Sequence, residues 1–242
     1  MKIVDTHCHL FDMKNYTLPA HIYPVIIGYS HNSNKKAAEI AEENNYPYAL
    51  GIAPQTVLKE GEKDIPEWIK FIKTKKPNAI GEIGLDYKWA QNKSDVEKQM
   101  NLFLKMLDLA DDLSLPLVIH SRNNPNENEV PKNAVEDILK YIGNRKFLMH
   151  FYSSDEETAK KIVKQGGYIS ITHLHSKERR KVINTVPIDK LVVESDCPFV
   201  GRNPEVVLEA IEYICEVKEL SMDEVISSTT KNAMEFFDFR CE

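Results

Sequence analysis

Eight short apolar segments recur along the chain, and the stretches between them have the spacing of amphipathic helices. The segments are rich in Val and Ile, and they cover residues 2–8, 23–30, 47–54, 78–86, 115–121, 146–153, 168–173 and 191–198. Apolar strands that alternate with helices predict a parallel sheet covered by helices. About eight repeats favour closure into a TIM-type (β/α)8 barrel, regular or distorted, in the α/β class. An open doubly wound sheet is the structural alternative.

The length and composition of the chain fit a single domain that spans residues 1–242. With 242 residues and 42% hydrophobic content, the chain can bury a substantial core without splitting into parts. The sequence contains no linker, low-complexity tract or internal repeat that would divide it. The N-terminus lacks the apolar region of a signal peptide, and no apolar run approaches the roughly 20 residues that span a bilayer.

Cysteine spacing and net charge limit the compartment and the partners. The four cysteines lie far apart and form no Cys-x-x-Cys pair, which argues against a disulfide framework or a zinc ribbon and predicts a cytoplasmic location. With 31 basic and 37 acidic residues the formal charge is −6, so the surface as a whole does not attract duplex phosphates. Any contact with nucleic acid must be local, and the sequence indicates neither a membrane partner nor an obligate protein partner.

Several helix starts carry recognisable capping signals. The stretches 94–97, 154–157 and 221–224 each begin with Ser and read as capping boxes. Asn203 followed by Pro204 fits an N-cap residue with proline at the first helical position. These signals predict where the helices that follow three of the strands, and the last helix, begin.

Ionisable side chains concentrate at the C-terminal ends of the predicted strands, which form the catalytic face of a barrel. His7 and His9 end the first strand, where side-chain alternation puts both on one face and Cys8 on the other. The other members of the set follow later strands, and they are Glu82 in the fourth, His120 in the fifth, His150 in the sixth and Asp196 in the eighth.

This set of four imidazoles and two carboxylates suits a pair of divalent metal ions, for which zinc, manganese and magnesium are the candidates. Its single members are weak signals, because the His-x-His pattern recurs at residues 173–175 and a lone strand-end histidine is more often a hydrogen-bonded core residue. The whole set is stronger, because packing alone gives no reason to place six ionisable groups where uncompensated burial is costly. We therefore predict a site for two metal ions.

Six segments of the chain stand in an order that is known from one family. They are DTHCHL at 5–10, GEIGLDY at 81–87, LPLVIHSR at 115–122, HFYSS at 150–154, GGYISI at 166–171 and VVESDCPF at 192–199. The chain thereby resembles the TatD-like metal-dependent deoxyribonucleases of the amidohydrolase superfamily. The resemblance implies a TIM-type barrel that hydrolyses nucleic-acid phosphodiesters. It also implies the ligand sets, which are His7, His9 and Asp196 for one metal, His120 and His150 for the other, and Glu82 as the bridge.

The chain departs from the family's pattern at three places. Residues 51–55 read Gly-Ile-Ala-Pro-Gln where the family usually has Gly-x-His-Pro-His, so two imidazoles expected near the substrate are missing. Asn123 follows the His-Ser-Arg tripeptide where the family usually has an acid, and HFYSS replaces the usual His-Cys-Phe-Ser-Gly. Because the metal ligands are intact, these differences bear on the substrate more than on the reaction type.

Two metal ions about 3.5 to 4 Å apart would lower the pKa of a shared water, so that a bridging hydroxide exists at neutral pH. Asp196, beside that water, can orient it and accept its proton, and Glu82 completes the predicted catalytic pair. Arg122 is the candidate phosphate clamp, because a planar guanidinium matches two phosphate oxygens. A salt bridge at the barrel rim is an equally good interpretation of Arg122. Cys8 and Cys197 point away from the metals, as small buried apolar residues.

Three functions compete on this reading. The favoured one is a divalent-metal deoxyribonuclease that acts on single strands or ends, because the net charge is acidic. The second is an amide, ester or lactone hydrolase that uses the same two metals, and the missing third-strand imidazoles favour it. The third is a non-enzymatic module with a structural metal, which the spread of the ligands over distant strands disfavours.

Glu194 is the candidate support for the metal ligands. It lies two residues before Asp196 and therefore points to the same face of the strand. Metal-bound histidines usually donate their second ring N–H to a carboxylate or carbonyl, so we predict that Glu194 accepts from His7 or His9. A buried ion pair with an interior Lys or Arg is the alternative.

Overall fold

A computed structural model describes residues 2–14, 17–126 and 129–241 of the chain. In this part of the chain, eight parallel strands follow one another in sequence order around one sheet. Their bounds are β1 (Ile3–Cys8), β2 (Ile22–Ile27), β3 (Tyr48–Leu50), β4 (Ala79–Asp86), β5 (Leu117–Arg122), β6 (Phe147–Met149), β7 (Tyr168–Ile171) and β8 (Leu191–Val193). Each strand overlaps one predicted apolar segment, so the strand prediction is confirmed.

Helices follow the strands and cover the outside of the sheet. They are α1 (His31–Asn44), α2 (Pro54–Glu60), α3 (Ile65–Thr74), α4 (Lys93–Leu113), α5 (Ala134–Ile142), α6 (Glu156–Lys164), α7 (Lys177–Thr185), α8 (Val207–Lys218) and α9 (Met222–Phe237). Short 3-10 turns cover Leu10–Asp12, Ile188–Lys190 and Pro204–Val206. Among the residues that the structure describes, no helix is both long enough and apolar enough to cross a membrane.

The sheet closes where the chain after β8 meets the end of β1. The amide nitrogen of Asp196 donates to the carbonyl oxygen of His7 at 2.9 Å. The amide nitrogen of His9 donates to the carbonyl oxygen of Cys197, also at 2.9 Å. Cys8 and Cys197 form a parallel bridge between these contacts, and both side chains are buried. The fold is therefore the predicted TIM-type barrel in a single domain, and the open sheet is wrong.

Alternate strand residues pack into two separate apolar layers. One layer joins the strands to the outer helices, and its strand members include Ile3, Ile26, Leu117 and Leu191. The second layer takes the neighbouring positions, including Val4, Val25, Val118 and Val192, together with Phe236 and Phe237 of α9. Because these neighbours point to the opposite face of each strand, the second layer fills the barrel interior. The end of α9 packs against the interior layer, and the C-terminal strand ends stay free for polar residues.

Two of the predicted helix caps are confirmed. Ser221 accepts from the backbone N–H of Glu224, and the Glu224 side chain accepts from the backbone N–H of Ser221, which completes a capping box before α9. Asn203 accepts from the backbone N–H of Glu205 and precedes Pro204, although the first turn here is a 3-10 turn that leads into α8.

The two other predicted capping boxes are wrong. Helix α4 begins earlier than predicted, because Asn92 is extended and its side chain accepts from the backbone N–H of Asp95. Helix α6 is capped by Asp155 rather than by Ser154. Asn and Asp are N-cap residues as strong as Ser, so a nearby Asn or Asp competes for the position.

A buried carboxylate joins the first strand to the segment that follows the last strand. Asp5 in β1 accepts from the backbone N–H of Ser195 at 2.9 Å and from the Ser195 hydroxyl at 2.5 Å. It also accepts from the backbone N–H of His7 at 3.2 Å. Because Asp5 is fully buried, these three donors have replaced its water. The contact fixes the chain segment that carries Asp196 against the strand that carries His7.

We expect Asp5→Ala to lower the free energy of unfolding by about 3 kcal/mol, because it leaves three buried donors unpaired. Urea denaturation followed by circular dichroism, in metal-free buffer so that ligand binding does not contribute, measures this loss. Ser195→Ala, which removes a single hydroxyl, should cost about 1 kcal/mol. If Asp5→Ala were as stable as the parent protein, the contact would not hold the barrel closed.

Candidate metal centre

The six predicted ligands meet at the C-terminal end of the barrel. His7 lies in β1 and His9 follows it, Glu82 lies in β4, His120 lies in β5, His150 follows β6, and Asp196 lies in the closing segment after β8. None of the six is more than 8% exposed. Converging strands thus bring side chains that are far apart in sequence into one buried cluster.

Local irregularities in two strands direct ligands into the barrel. The pairing of β1 with β2 shifts between Asp5 and Cys8, and the pairing of β4 with β5 shifts between Ile80 and Ile83. Such an irregularity adds a residue to one strand and changes which face the following side chains occupy. The interior therefore holds both Val4, low in β1, and His7, at its end, although positions three apart in a regular strand point to opposite faces.

Close backbone packing also fixes β4 beside β5. Gly84 has a φ of 141°, and a Cβ atom at this position would meet the carbonyl oxygen of His120 at 2.0 Å. Only glycine adopts this conformation readily and leaves room for the neighbouring backbone. Gly84 thus allows the strand that carries Glu82 to approach the strand that carries His120.

The two carboxylate oxygens of Glu82 face two different groups of histidines. Oε2 lies 3.6 Å from Nε2 of His7. Oε1 lies 2.7 Å from Nδ1 of His120 and 3.6 Å from Nε2 of His150. Two ligands of a tetrahedral ion, each about 2.1 Å from it, are roughly 3.4 Å apart, so most of these separations fit atoms that share an ion. Glu82 therefore has the position of a carboxylate between two cation sites.

The other side of the cluster is formed by His9 and Asp196. Nε2 of His9 lies 3.5 Å from Oδ1 of Asp196, and the rings of His7 and His150 stack with their centroids 3.8 Å apart. Three triplets bring their ligand atoms within 4.8 Å of one another: His7, His9 and Glu82; Glu82, His120 and His150; and His7, His150 and Asp196. Glu82 belongs to the first two triplets, which fits a shared ligand.

His7 provides a test of whether the cluster fits metal ions. Both of its ring nitrogens are buried, and neither has a hydrogen-bond partner among the described residues. A buried polar atom without a partner is costly, and such an atom in a cluster of ligand side chains points to an ion as its partner. The donor set, which combines imidazoles with carboxylates, fits a divalent metal ion.

The charges of the cluster favour cations in this buried position. Burial opposes protonation of His150, but the charges of Glu194 and Glu82 outweigh it and raise the pKa of His150 well above its usual value. Burial also opposes ionisation of Glu82, but the charge of His150 and contacts with the histidines hold the pKa of Glu82 well below its usual range. Burial lowers the pKa of His7 to about 3, which keeps this ring neutral and able to act as a ligand.

The rings of His9 and His120 are each oriented by the atom that their second nitrogen contacts. Nδ1 of His9 lies 2.7 Å from the carbonyl oxygen of Ile27, which can only accept, so Nδ1 carries the proton and Nε2 is free to bind a metal. Nε2 of His120 lies 2.9 Å from Oδ2 of Asp86, which leaves Nδ1 facing Glu82. The sequence analysis did not identify Asp86, although this residue lies four positions after Glu82 and so shares its face of the strand.

Glu194 contacts a different histidine from the two that the sequence suggested. Its Oε1 lies 3.2 Å from Nδ1 of His150 and accepts from the backbone N–H of Phe151 at 2.6 Å. The predicted pairing with His7 or His9 is therefore replaced by a pairing with His150. His150 directly follows β6, and its ring, which stacks on the His7 ring with the centroids 3.8 Å apart, is the one whose nitrogen reaches Glu194.

The remaining candidates lie at the rim or away from the cluster. Nη1 of Arg122 lies 3.8 Å from Oδ2 of Asp86, and 40% of its side chain is exposed. Cys8 and Cys197 are fully buried, and burial raises the pKa of the Cys8 thiol, which keeps it protonated. His173 and His175 belong to no candidate metal group among the described residues, and His175 stacks on Tyr213.

Comparison with known proteins identifies the family of the chain. The family model described as TatD related DNase matches residues 4–238. The chain belongs to this family. It is similar to a Bacillus subtilis (strain 168) protein, the uncharacterized metal-dependent hydrolase YabD, with 33% identity over 232 aligned positions that cover 88% of this chain and 86% of that protein. The chain is accordingly a metal-dependent hydrolase.

Other relatives of this TatD-related chain extend the comparison to a human protein and to a solved structure. The human deoxyribonuclease TATDN3 is 27% identical over 266 aligned positions, which cover 97% of this chain and 94% of that protein. The crystal structure of YjjV, a TatD homologue from Escherichia coli k12, has a TM-score of 0.84 at 21% identity and covers 98% of both chains. The latter similarity supports the barrel fold.

This TatD-related chain departs from the family's third-strand motif, and the structure shows what replaces it. Gln55, at the start of α2, stands where the pattern has its last imidazole. Its Nε2 donates to Oδ2 of Asp86 at 2.6 Å and lies 3.1 Å from Nε2 of His120. Ala53, at the other replaced position, is buried before α2. A neutral amide therefore contacts the carboxylate that orients His120.

We expect Glu194→Gln to weaken metal binding by about 10- to 100-fold, because the uncharged amide supports the His150 ring less strongly than a carboxylate does. Isothermal titration of the metal-free protein with zinc or manganese measures the change. Glu216→Gln, which alters an exposed carboxylate paired with Arg180, is the matched control and should leave the affinity unchanged. Equal affinities for Glu194→Gln and the parent protein would reject the supporting role of Glu194.

Proposed function

We propose that the chain is a deoxyribonuclease that uses two divalent metal ions to hydrolyse phosphodiester bonds. The observation that carries this proposal is Glu82, one of whose oxygens faces His7 while the other faces His120 and His150. His7, His9 and Asp196 would hold one ion, and His120 and His150 would hold the other, with Glu82 shared. When bound, two such ions activate a water molecule and neutralise charge on the phosphoryl oxygens.

Asp196 is the residue that we assign to position the attacking water and to accept its proton. Oδ1 of its carboxylate lies 3.5 Å from Nε2 of His9, and its backbone has a left-handed φ of 47°. Left-handed backbone is uncommon for residues other than glycine, although Asp adopts it more readily than most. The backbone hydrogen bond from Asp196 N–H to the carbonyl oxygen of His7 holds this conformation, so the carboxylate has a fixed direction.

The position of Arg122 supports the proposal that the substrate carries a phosphate and is not neutral. It follows His120 by two residues at the end of β5, and its side chain is partly exposed at the mouth of the barrel. An exposed guanidinium near the metal ligands can bind two phosphate oxygens, and Asp86 orients it from below at 3.8 Å. The name of the human relative, a deoxyribonuclease, supports DNA as the substrate.

The acidic charge of the chain favours single strands or ends over continuous duplex as the DNA substrate. We propose zinc, manganese or magnesium as the ions, because imidazole and carboxylate ligands occur together in sites for these metals. The cytoplasmic location also stays a proposal, and it rests on the cysteine spacing.

The second candidate is an amide, ester or lactone hydrolase with the same metal cluster. The replacement of the third-strand imidazoles by Ala53 and Gln55 favours it, because neither side chain carries a charge and the Gln55 amide contacts Asp86 and His120. The amide of Gln55 can donate to a carbonyl oxygen as readily as to a phosphate oxygen.

A substrate panel on metal-reconstituted protein distinguishes the two candidates. Protein purified without chelator is first analysed for its metal content, and each metal is then restored to stripped protein. The panel compares release of nucleotides from a labelled single-stranded oligonucleotide with turnover of lactones and acyl amino acids. Cleavage of the oligonucleotide alone supports the deoxyribonuclease, whereas turnover of lactones or acyl amino acids alone would overturn it.

We expect Asp196→Asn and His7→Ala to lower turnover by about 10³-fold or more, because His7→Ala removes a candidate ligand and Asp196→Asn removes the proton acceptor while it keeps an oxygen that can bind metal. Circular dichroism should show an intact barrel in both variants. Asp189→Asn, an exposed change before β8, is the control that keeps full activity. Full activity of metal-loaded Asp196→Asn would show that another group accepts the proton.

We expect Arg122→Ala to raise KM for a phosphodiester by about 10- to 100-fold, because a charge-assisted pair to phosphate is lost. Turnover of a neutral ester, if it occurs, should change far less, since a neutral group loses no such pair. Arg180→Ala removes an exposed arginine on α7 and serves as the matched control. Equal losses for the charged and the neutral substrate would point to a structural role for Arg122.

A further inference from the structure

The most exposed large apolar side chain among the described residues lies beside the metal ligands. Phe199 follows β8 and is 61% exposed. Trp89 follows β4 and Leu174 follows β7, and they are 44% and 41% exposed. Three of the five exposed large apolar side chains among the described residues thus lie in loops at the catalytic face, where water contact is costly unless a ligand covers them.

The ring of Phe199 joins a small aromatic wall around His9. Its centroid lies 5.0 Å from the ring of His9 and 5.9 Å from the ring of Tyr29. Phe11 contacts both His9 and Tyr29. The rings of His9 and Tyr29 are inclined to Phe199 by 58° and 69°, so neither stacks on it. At 61% exposure, Phe199 has an aromatic face available to another flat ring.

The two sides of the barrel mouth carry different chemistry. Phe11, Tyr29 and Phe199 come from the loops after β1, β2 and β8, which are neighbours around the closed barrel. Arg122 ends β5, which lies opposite β1 in a barrel of eight strands. A substrate that spans the metal cluster would thus meet aromatic rings on one side and a guanidinium on the other.

We propose that Phe199 is the platform on which a nucleobase of a single-stranded DNA substrate stacks while the adjoining phosphate lies at the metal cluster. This proposal rests on the proposed function, because it assigns the base that accompanies the scissile phosphate. Every nucleobase has a π face, so stacking on an aromatic side chain holds single strands with little dependence on sequence. An aromatic wall on one side of the metal cluster and a guanidinium on the other offer contacts to a base and to a phosphate of one strand that crosses the cluster.

The test compares oligothymidylate with a phosphodiester chain of the same length in which every nucleotide carries an abasic tetrahydrofuran sugar. Fluorescence anisotropy in the Asp196→Asn background gives Kd for both chains, and steady-state assays in the otherwise unchanged protein give kcat and KM. Phe199→Ala should weaken binding of oligothymidylate by about 10- to 100-fold and leave the abasic chain unchanged. Phe199→Tyr keeps an aromatic face and should retain the affinity of the parent protein.

Two controls separate stacking from other effects. Tyr141→Ala removes an aromatic side chain that is 45% exposed near the end of α5, at the opposite end of the barrel, and should change neither affinity. Because Phe199 contacts the His9 ring, its replacement could disturb a metal ligand. Elemental analysis tests this, and Phe199→Ala should keep the metal content of the parent protein.

The outcomes distinguish failure of this proposal from failure of the proposed function. Equal weakening of both chains would assign Phe199 a structural role, and no weakening of either chain would remove it from the binding site. If the parent protein cleaves neither chain but hydrolyses lactones, the proposed function fails. The anisotropy measurement then still decides whether Phe199 binds a base.

Discussion

The position of Glu82 inside a closed barrel is the constraint on which the rest of the site depends. A buried carboxylate with histidines on both of its oxygens is stable only if positive charge accompanies it. The backbone provides this position through the irregular pairing of β4 and through Gly84, which lets β4 approach β5. Barrel closure through Asp5 and Ser195 then brings Asp196 against the opposite side of the cluster. The fold and the metal centre are thus held by overlapping sets of contacts.

Contacts behind the ligands determine which nitrogen of each ring faces the cluster. The carbonyl oxygen of Ile27, the carboxylate of Asp86 and the carboxylate of Glu194 contact His9, His120 and His150 in turn. Each contact occupies one ring nitrogen and directs the other toward Glu82 or Asp196, which prepares the ring for a metal ion. His7 lacks such a partner among the described residues, and its ring is held by stacking on His150. The three supporting groups come from β2, from β4 and from the segment after β8, so the closed sheet itself orients these rings.

The mouth of the barrel connects the metal centre to the choice of substrate. Arg122 and the aromatic wall around Phe199 flank the cluster from opposite strands, whereas Gln55 contributes a neutral amide from the start of α2. Charged, stacking and amide groups recognise different parts of a substrate, and a nucleotide presents a partner for each of them. Under the proposed function, the reaction type would depend on the buried candidate ligands, and the substrate would depend on partly exposed side chains at the ends of the strands and in the loops after them.

The sequence by itself predicted the strand–helix alternation, favoured the closed barrel over an open sheet and singled out the six candidate ligands, because apolar periodicity and strand-end polarity are local properties of the chain. It also placed His7 and His9 on one face, because side chains two residues apart in a strand point to the same side. Only the tertiary structure decided that Glu194 supports His150, that Asp86 and Gln55 reach His120, and that Asn92 rather than Ser94 caps α4. Those outcomes depend on strand pairing, on the register shifts in β1 and β4, and on competition between nearby groups. Distances between side chains that are remote in sequence follow from how the barrel closes, and no local pattern records them.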